Sequence, residues 1–238
     1  MQNYFLHDMR ALINSAQADI VFLQEVVGQN DIYKKKGLID AQFEFLADTV
    51  WSHYSYAKNS LYDHGHHGNL ILSRYPIESW ENINITTNVL EKRGLLVCKI
   101  ILSALQKKYI YAACAHLDLF HSGRKVQYQI IKNKILSLDP TGQIPLVVAG
   151  DFNDWSKKAG PVFEQEMGMQ EAYKKANGRF AKTFPAGLPL LSLDRIYVKN
   201  LKVVDSNILR RPAHQNHFSD HLPIYCEVEV EVDEKVLE

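Results

Sequence analysis

Cysteine is scarce in this chain: 238 residues contain three, Cys98, Cys114 and Cys226. Each sits inside an apolar, strand-like run, where a free thiol behaves as a small hydrophobe. A disulfide-stapled framework is therefore excluded, and reduced thiols, mostly buried, in a reducing and cytoplasmic compartment are expected. An excess of charge of one sign is also missing, since Lys and Arg total 27 against 27 Asp and Glu. The overall electrostatic footprint of a dedicated nucleic-acid binder is absent, and only a local basic rim stays open. No uncharged stretch approaches the ~20 residues of a membrane-spanning helix. The opening MQNYFLHDMR lacks a basic region followed by an apolar run. No linker-like segment, internal repeat or low-complexity tract divides the sequence, so one domain over residues 1–238, a monomer, is expected.

The sequence is organised around Leu146 to Asp154, which reads LVVAGDFND. A run of β-formers stops at Gly150, and Asp151, Phe152, Asn153 and Asp154 follow at once. A buried strand that delivers polar side chains to its carboxyl edge is where α/β folds keep their chemistry. If the backbone stays extended, Asp151 and Asn153 share one face and Phe152 turns into packing. The alternative is an Asx-type turn, for which these are ordinary residues.

The rest of the chain supplies more polar residues at strand ends. A helix over 5–16 leads into a short strand, Ile20 to Leu23, closed by Gln24 and Glu25. A glutamate there either turns to solvent or sits beside a cation. Residues 26–37 read as a loop with the solvated run Lys34 to Lys36, 38–50 as a helix and 53–57 as a strand. His64, His66 and His67 fall in a Gly-rich stretch, Asp63 to Asn69. Three histidines suggest zinc, yet no matching Cys or His cluster lies elsewhere, and a plain loop is the simpler reading. Strands follow over 70–73, 77–85, 94–102 and 108–117, with short turns that imply mostly antiparallel pairing. The last carries Ile110, Ala112, Cys114 and His116 on one face, and a helix over 123–138 then makes a strand, helix, strand unit with Leu146 to Gly150. Beyond a helix over 160–167, strands over 193–198, 203–209 and 222–232 bring Asp194, Asp220 and His221 to strand ends. Arg210 and Arg211 are either a basic rim or a solvated edge, and the tail is acidic.

Taken in order, the words LQEV, HLD, GDFND, LDRIYV and SDHLP resemble those of the endonuclease/exonuclease/phosphatase superfamily of metal-dependent phosphoesterases. The resemblance runs from about Phe5 to the last strand, and GDFN with SDH in this order carries most of it. It implies an α/β four-layer sandwich: two mixed, mostly antiparallel β-sheets face to face, helices on the outer faces, and a catalytic cleft across one end. By the same resemblance Glu25 is the metal-binding glutamate and Asp220 an aspartate at the metal and water site. His221 is the catalytic histidine, Asp194 the aspartate that orients it, and His116 a phosphate-side histidine. Asp151 and Asn153 handle the nucleophile and the phosphoryl oxygens.

Mg²⁺, with Mn²⁺ as a substitute, suits carboxylate ligands. Arg93, in the turn before Gly94, and Asn69 in GHHGNLILSR are candidate substrate-binding donors, an exposed turn arginine being the alternative for Arg93. The expected partner is a phosphate ester, and net charge leans away from nucleic acid. The words GHHGNLILSR and WENINITTNVLEKRGLL look more like a bacterial subgroup, whose substrate they leave open. The superfamily pattern opens with a strand ending in a metal-site asparagine ahead of the first helix, and neither Asn3 nor Asn14 matches it. Either translation starts upstream of Met1 or the product is shortened. The second case motivates the competing expectation of a catalytically impaired binding protein.

Overall fold

The computed structural model describes residues 3–89, 91–106, 108–210 and 218–230. The order begins α1 (Asn3–Ala16), β1 (Ile20–Asn30), α2 (Asp31–Lys35), α3 (Gln42–Thr49), β2 (His53–Tyr62), β3 (Gly65–Ser73), β4 (Ile77–Asn84) and β5 (Gly94–Ser103). It continues β6 (Lys108–His116), α4 (His121–Leu138), β7 (Leu146–Asp151), a π-helical turn (Pro161–Glu166) and β8 (Gln170–Glu171). It ends α5 (Ala172–Asn177), β9 (Asp194–Lys199), β10 (Leu201–Ile208) and β11 (Ile224–Val230). Arg211 and the acidic tail lie outside the described residues.

One sheet has six strands in the order β4-β5-β6-β7-β9-β8. Among the described residues only β6 and β7 pair in parallel, because α4 carries the chain back across the sheet between them. Alternation along β5 divides two cores. Leu95 and Val97 face Tyr128, Ile131 and Ile135 of α4, while Leu96, Cys98 and Ile100 face the opposite layer. That layer is the sheet β1-β3-β2 together with the separate hairpin β10-β11. Its Ile20, Phe22, Ile71, Val203 and Val228 pack against Ala112, Cys114, Val147 and Ala149. Outside it, Leu46 and Ala47 of α3 and Met9 and Ile13 of α1 cover Val21, Leu23, Leu70 and Leu72. Helix, sheet, sheet, helix is the four-layer sandwich, with every residue of β7 buried because both its faces are covered.

The second layer differs from a continuous sheet. Among the described residues β1 pairs only with β3 and β11 only with β10, so each keeps one edge without a ladder partner. Cys226, in β11, is accordingly half-buried, whereas Cys98 and Cys114 are fully covered. All three are free thiols. Burial raises each, Cys98 to about 11 and Cys114 and Cys226 to about 12, which keeps them protonated and unreactive at neutral pH.

Two loops expected from sequence are regular structure. β1 runs on to Asn30, whose side chain accepts from the N–H groups of Ile32 and Tyr33 and so caps α2. Gly65 to Asn69 belongs to β3 rather than to a loop. Composition rich in Gly and His misled because cross-strand pairing on both sides of β3 outweighs local propensity.

Glu171 is buried at the start of α5, where its carboxylate accepts from Lys174 N at 2.6 Å. Burial pushes it from the ordinary 4.5 up to about 7, against the pull of that N–H and the charge of Arg195. A carboxylate raised on folding stabilises the fold below pH 4.5, and that contribution is lost as pH rises through 7. Thermal melts should therefore fall across this window by an amount on the order of 3 kcal/mol. Glu171→Gln, which keeps an oxygen for the cap, should flatten the fall. An unchanged slope in the variant would show that another group titrates there.

Candidate functional site

β6, β7 and β9 stand side by side and deliver three polar residues to one end of the sheet. His116 is the register partner of Asp151 across the parallel pair, and Asp151 of Asp194 across the antiparallel pair. Residues remote in sequence thus lie one strand spacing apart, about 4.8 Å. Beyond Asp151 the backbone does not stay extended. Asn153 has φ +48° and its N–H donates to Asp151 Oδ1 at 2.8 Å, which is the Asx turn. Phe152 turns into the core as expected, while Asn153 is buried beside Asp151. Its Nδ2 donates to Leu117 O at 2.9 Å and ties the end of β7 to the end of β6.

His221 arrives from the segment before β11. Its N–H donates to Ser219 Oγ at 3.1 Å, the carbonyl of Asp220 accepts from Ala186 N at 2.7 Å, and the Phe184 ring lies 5.0 Å from the imidazole. The ring so held puts Nδ1 2.8 Å from Asp194 Oδ2. Burial works against the imidazolium, but the hydrogen bond to Asp194 and the charges of Asp194, Asp151 and Asp220 outweigh it and raise His221 to about 9. Asp151 moves up from its ordinary value, first because it is buried and then because Asp194 is close, with His221 opposing.

Arg93 is not an exposed turn arginine, because its side chain is only 9% exposed. Nη2 pairs with Glu91 Oε2 at 2.7 Å and Nη1 lies 2.9 Å from His116 Nδ1. A guanidinium can only donate, so Nδ1 of His116 accepts and the proton sits on Nε2, 3.5 Å from Asp151 Oδ2. Burial holds His116 well below 6.5, with the charge of Arg93 adding to it, and the ring is neutral. The loop that carries Arg93 is pinned by Asp118, which accepts from Thr87 Oγ1 at 2.5 Å and Asn88 Nδ2 at 2.6 Å. Burial alone would raise Asp118. The donors Thr87, Phe120 N and Asn88 and the charge of Arg93 bring it below its usual range. Neither Asp118 nor Glu91 was singled out from sequence, and the one available signal was the aspartate in HLD.

Glu25 sits on a β-bulge. Leu23 pairs with Leu70 and Val26 with Gly68, so Gln24 and Glu25 oppose Asn69 alone, and Glu25 takes φ +56°. Such a conformation in a non-glycine residue costs free energy and recurs at functional sites. The bulge sends the carboxylate to a pocket shared with Asn59, His67, Asn69, Arg93 and His116. Its Oε1 is 3.8 Å from His116 Nδ1, too far for a hydrogen bond.

Asn69 does not present substrate donors. It is buried, and its Nδ2 donates to Gly94 O at 2.9 Å and Cys114 O at 3.1 Å, leaving only an acceptor, which an anionic ester does not want. The histidine run makes no zinc cluster, because strand alternation separates its members. His66 is buried with Nδ1 3.1 Å from Tyr56 Oη, while His67 faces Glu25 and Arg93. His67, lowered mainly by burial, lines the site beside Glu25, although the sequence offered it only as part of a loop or of a zinc cluster.

Among the described residues no three His, Cys, Asp or Glu side chains cluster closely enough to enclose a metal. Mg²⁺ needs no such cage, since one or two carboxylates and several waters complete its shell. Glu25, 63% exposed and accepting no hydrogen bond among the described residues, suits that use, and exposed Asp220 is a second oxygen donor beside His221. These residues fit a hard divalent cation.

An α/β sandwich with a carboxylate-rich site at one sheet end defines the class, and comparison gives it a family. Residues 3–221 match the Endonuclease/Exonuclease/phosphatase family, to which this chain belongs. It is 40% identical over 230 residues to the uncharacterized protein YbhP of Escherichia coli K12, covering 95% of this chain and 89% of that one. The fold is shared with the endonuclease/exonuclease/phosphatase from Bacteroides vulgatus, at a TM-score of 0.76 and 22% identity over 96% of this chain and 91% of the other. It is also shared with the mannosyl-6-phosphatase Bt3783 of Bacteroides thetaiotaomicron, at a TM-score of 0.74 and 17% identity over 95% and 91%. The family acts on phosphate esters, and no helix among the described residues is long and apolar enough to cross a membrane.

Proposed function

We propose that this protein is a Mg²⁺-dependent phosphodiesterase that hydrolyses its substrate by in-line attack of water. The observation that carries the reading is His221 held at 2.8 Å by Asp194, with Asp151 on the adjacent strand. With Nδ1 committed to Asp194, only Nε2 of His221 can face substrate, and near neutrality the ring carries a proton on it. Asp151, still ionised at that pH, accepts a proton from the attacking water. As the new bond from water oxygen to phosphorus forms, the ester P–O bond breaks, and His221 Nε2 gives its proton to the departing oxygen.

Arg93, buried between Glu91 and His116, offers a fixed positive charge to the phosphoryl oxygens. His116, neutral and oriented by Arg93, directs Nε2–H at Asp151 and so positions the base. A divalent cation held by Glu25, with Asp220 as a second donor, would neutralise charge on the non-bridging oxygens. The likeness to a phosphatase supports a phosphate ester as substrate.

The test is hydrolysis of bis(p-nitrophenyl) phosphate and a panel of natural diesters, before and after chelation by EDTA. Activity should vanish with chelation and return with Mg²⁺ or Mn²⁺. Turnover indifferent to EDTA would overturn the metal requirement. Silence on every ester with metal restored would favour an impaired binding protein on the same fold.

A further inference from the structure

The loops around the catalytic end carry large apolar side chains turned to solvent. On one bank Val89 is 86%, Phe120 65% and Trp155 48% exposed. These lie on three segments joined to one another: Asp118 accepts from Thr87 and Asn88, while Arg124 donates to Leu119 O and its guanidinium lies 4.6 Å from the Trp155 ring. On the other bank Leu188 is 67% and Leu190 58% exposed. That loop is tied to the site through Ala186 N, which donates to Asp220 O, and through Phe184, packed against His221. Exposed hydrophobes scattered singly need no explanation, but a collar of them around a polar cleft does.

Charge follows the same pattern. In residues 85–93, 117–126, 152–160 and 178–193 the exposed charged side chains among the described residues are Lys92, Lys125, Lys157, Lys158, Arg179 and Lys182, all basic. The acids in these segments are withdrawn: Asp118 and Asp154 are buried, and half-buried Glu91 is paired with Arg93. A chain of zero net charge thus gathers only cations on the exposed faces of these four segments, beside the exposed apolar groups, while the exposed carboxylates Glu25 and Asp220 lie in the cleft they surround.

We propose that this collar seats the protein on an anionic phospholipid bilayer and that the phosphoester it cleaves is that of a phospholipid in the bilayer. Apolar side chains that enter the acyl boundary while lysines meet headgroups are what interfacial attachment requires. A nucleic-acid surface would use aromatic planes for stacking, whereas most of this collar is aliphatic. The proposal deepens the phosphodiesterase reading and rests on it.

The purified full chain is floated with vesicles of phosphatidylcholine alone and of phosphatidylcholine mixed with phosphatidylglycerol. Binding should favour the mixed vesicles. Phe120→Ser combined with Leu188→Ser and Leu190→Ser should weaken it by about tenfold or more. Lys157→Gln and Lys158→Gln should weaken it by about fivefold each, on the anionic vesicles only. All of these variants should hydrolyse soluble bis(p-nitrophenyl) phosphate as the parent does, and the parent alone should release product efficiently from mixed vesicles. Flotation with neither vesicle, or apolar variants that float like the parent, would overturn the proposal. So would tight binding of single-stranded oligonucleotide that Trp155→Ala abolishes. Flotation needs no turnover, so vesicle binding without hydrolysis of any ester counts against the phosphodiesterase reading, and hydrolysis without vesicle binding counts against this proposal alone.

Discussion

Replacing His221 with alanine is expected to lower turnover by about 10² to 10⁴-fold, the usual range for losing a general acid, without weakening metal affinity. The imidazole is bonded to Asp194 at 2.8 Å, and its removal leaves Glu25, on another sheet, untouched. Asp194→Asn should reproduce part of the loss, because an amide neither stabilises an imidazolium nor selects its tautomer as a carboxylate does. Glu25→Gln should differ in kind: it weakens an oxygen ligand and leaves the acid in place, so added Mg²⁺ should recover much of the activity. Steady-state rates titrated with Mg²⁺ separate the two. If His221→Ala kept near-normal turnover, or were rescued by Mg²⁺ as Glu25→Gln is, the histidine would not be in the proton path.

Gly150→Ala should cost the fold about 2 to 5 kcal/mol, summing backbone strain and overpacking. Gly150 has φ +142°, and a Cβ there would lie 1.9 Å from the carbonyl oxygen of Ala115 in the adjacent parallel strand. A main-chain atom in the central sheet cannot swing aside as a side chain would. Relief must push β6 and β7 apart where His116 meets Asp151, so activity should fall with stability. A melting temperature lowered on the order of 10 °C is expected. Gly178→Ala is the control: its φ is +71° and nothing lies within 4 Å, so only the left-handed penalty of about 1 kcal/mol applies. Equal melting temperatures for the two variants would contradict the close approach of β6 and β7 at Gly150.

Much of this was legible in one dimension. The apolar run before Gly150, the helical spacing over 123–138 and the alternation along 108–116 predicted β7, α4 and β6, because strand and helix periods are local properties of a chain. The polar residues at the ends of β6, β7 and β9 named His116, Asp151 and Asp194, and the order of their motifs pointed to the family to which the chain belongs. The boundaries that failed had the opposite character. His66 to Asn69 looked like a loop because Gly and His favour loops, and pairing with β1 and β2 decided otherwise. Asn69 looked like a donor to substrate because its side chain is polar, yet two backbone carbonyls use its hydrogens.

What the sequence by itself determined is most of the longer elements and the chemical kind of the residues at their ends, since both follow from periodicity and side-chain type. What only the tertiary structure decided is which of those groups touch. Arg93 meeting His116, Asp118 holding the Arg93 loop, Glu25 turned by a bulge toward the pocket, and exposed apolar side chains gathered beside lysines around one end all depend on contacts between distant segments. Sheet register and buried hydrogen bonds fix such contacts, and no local pattern encodes them.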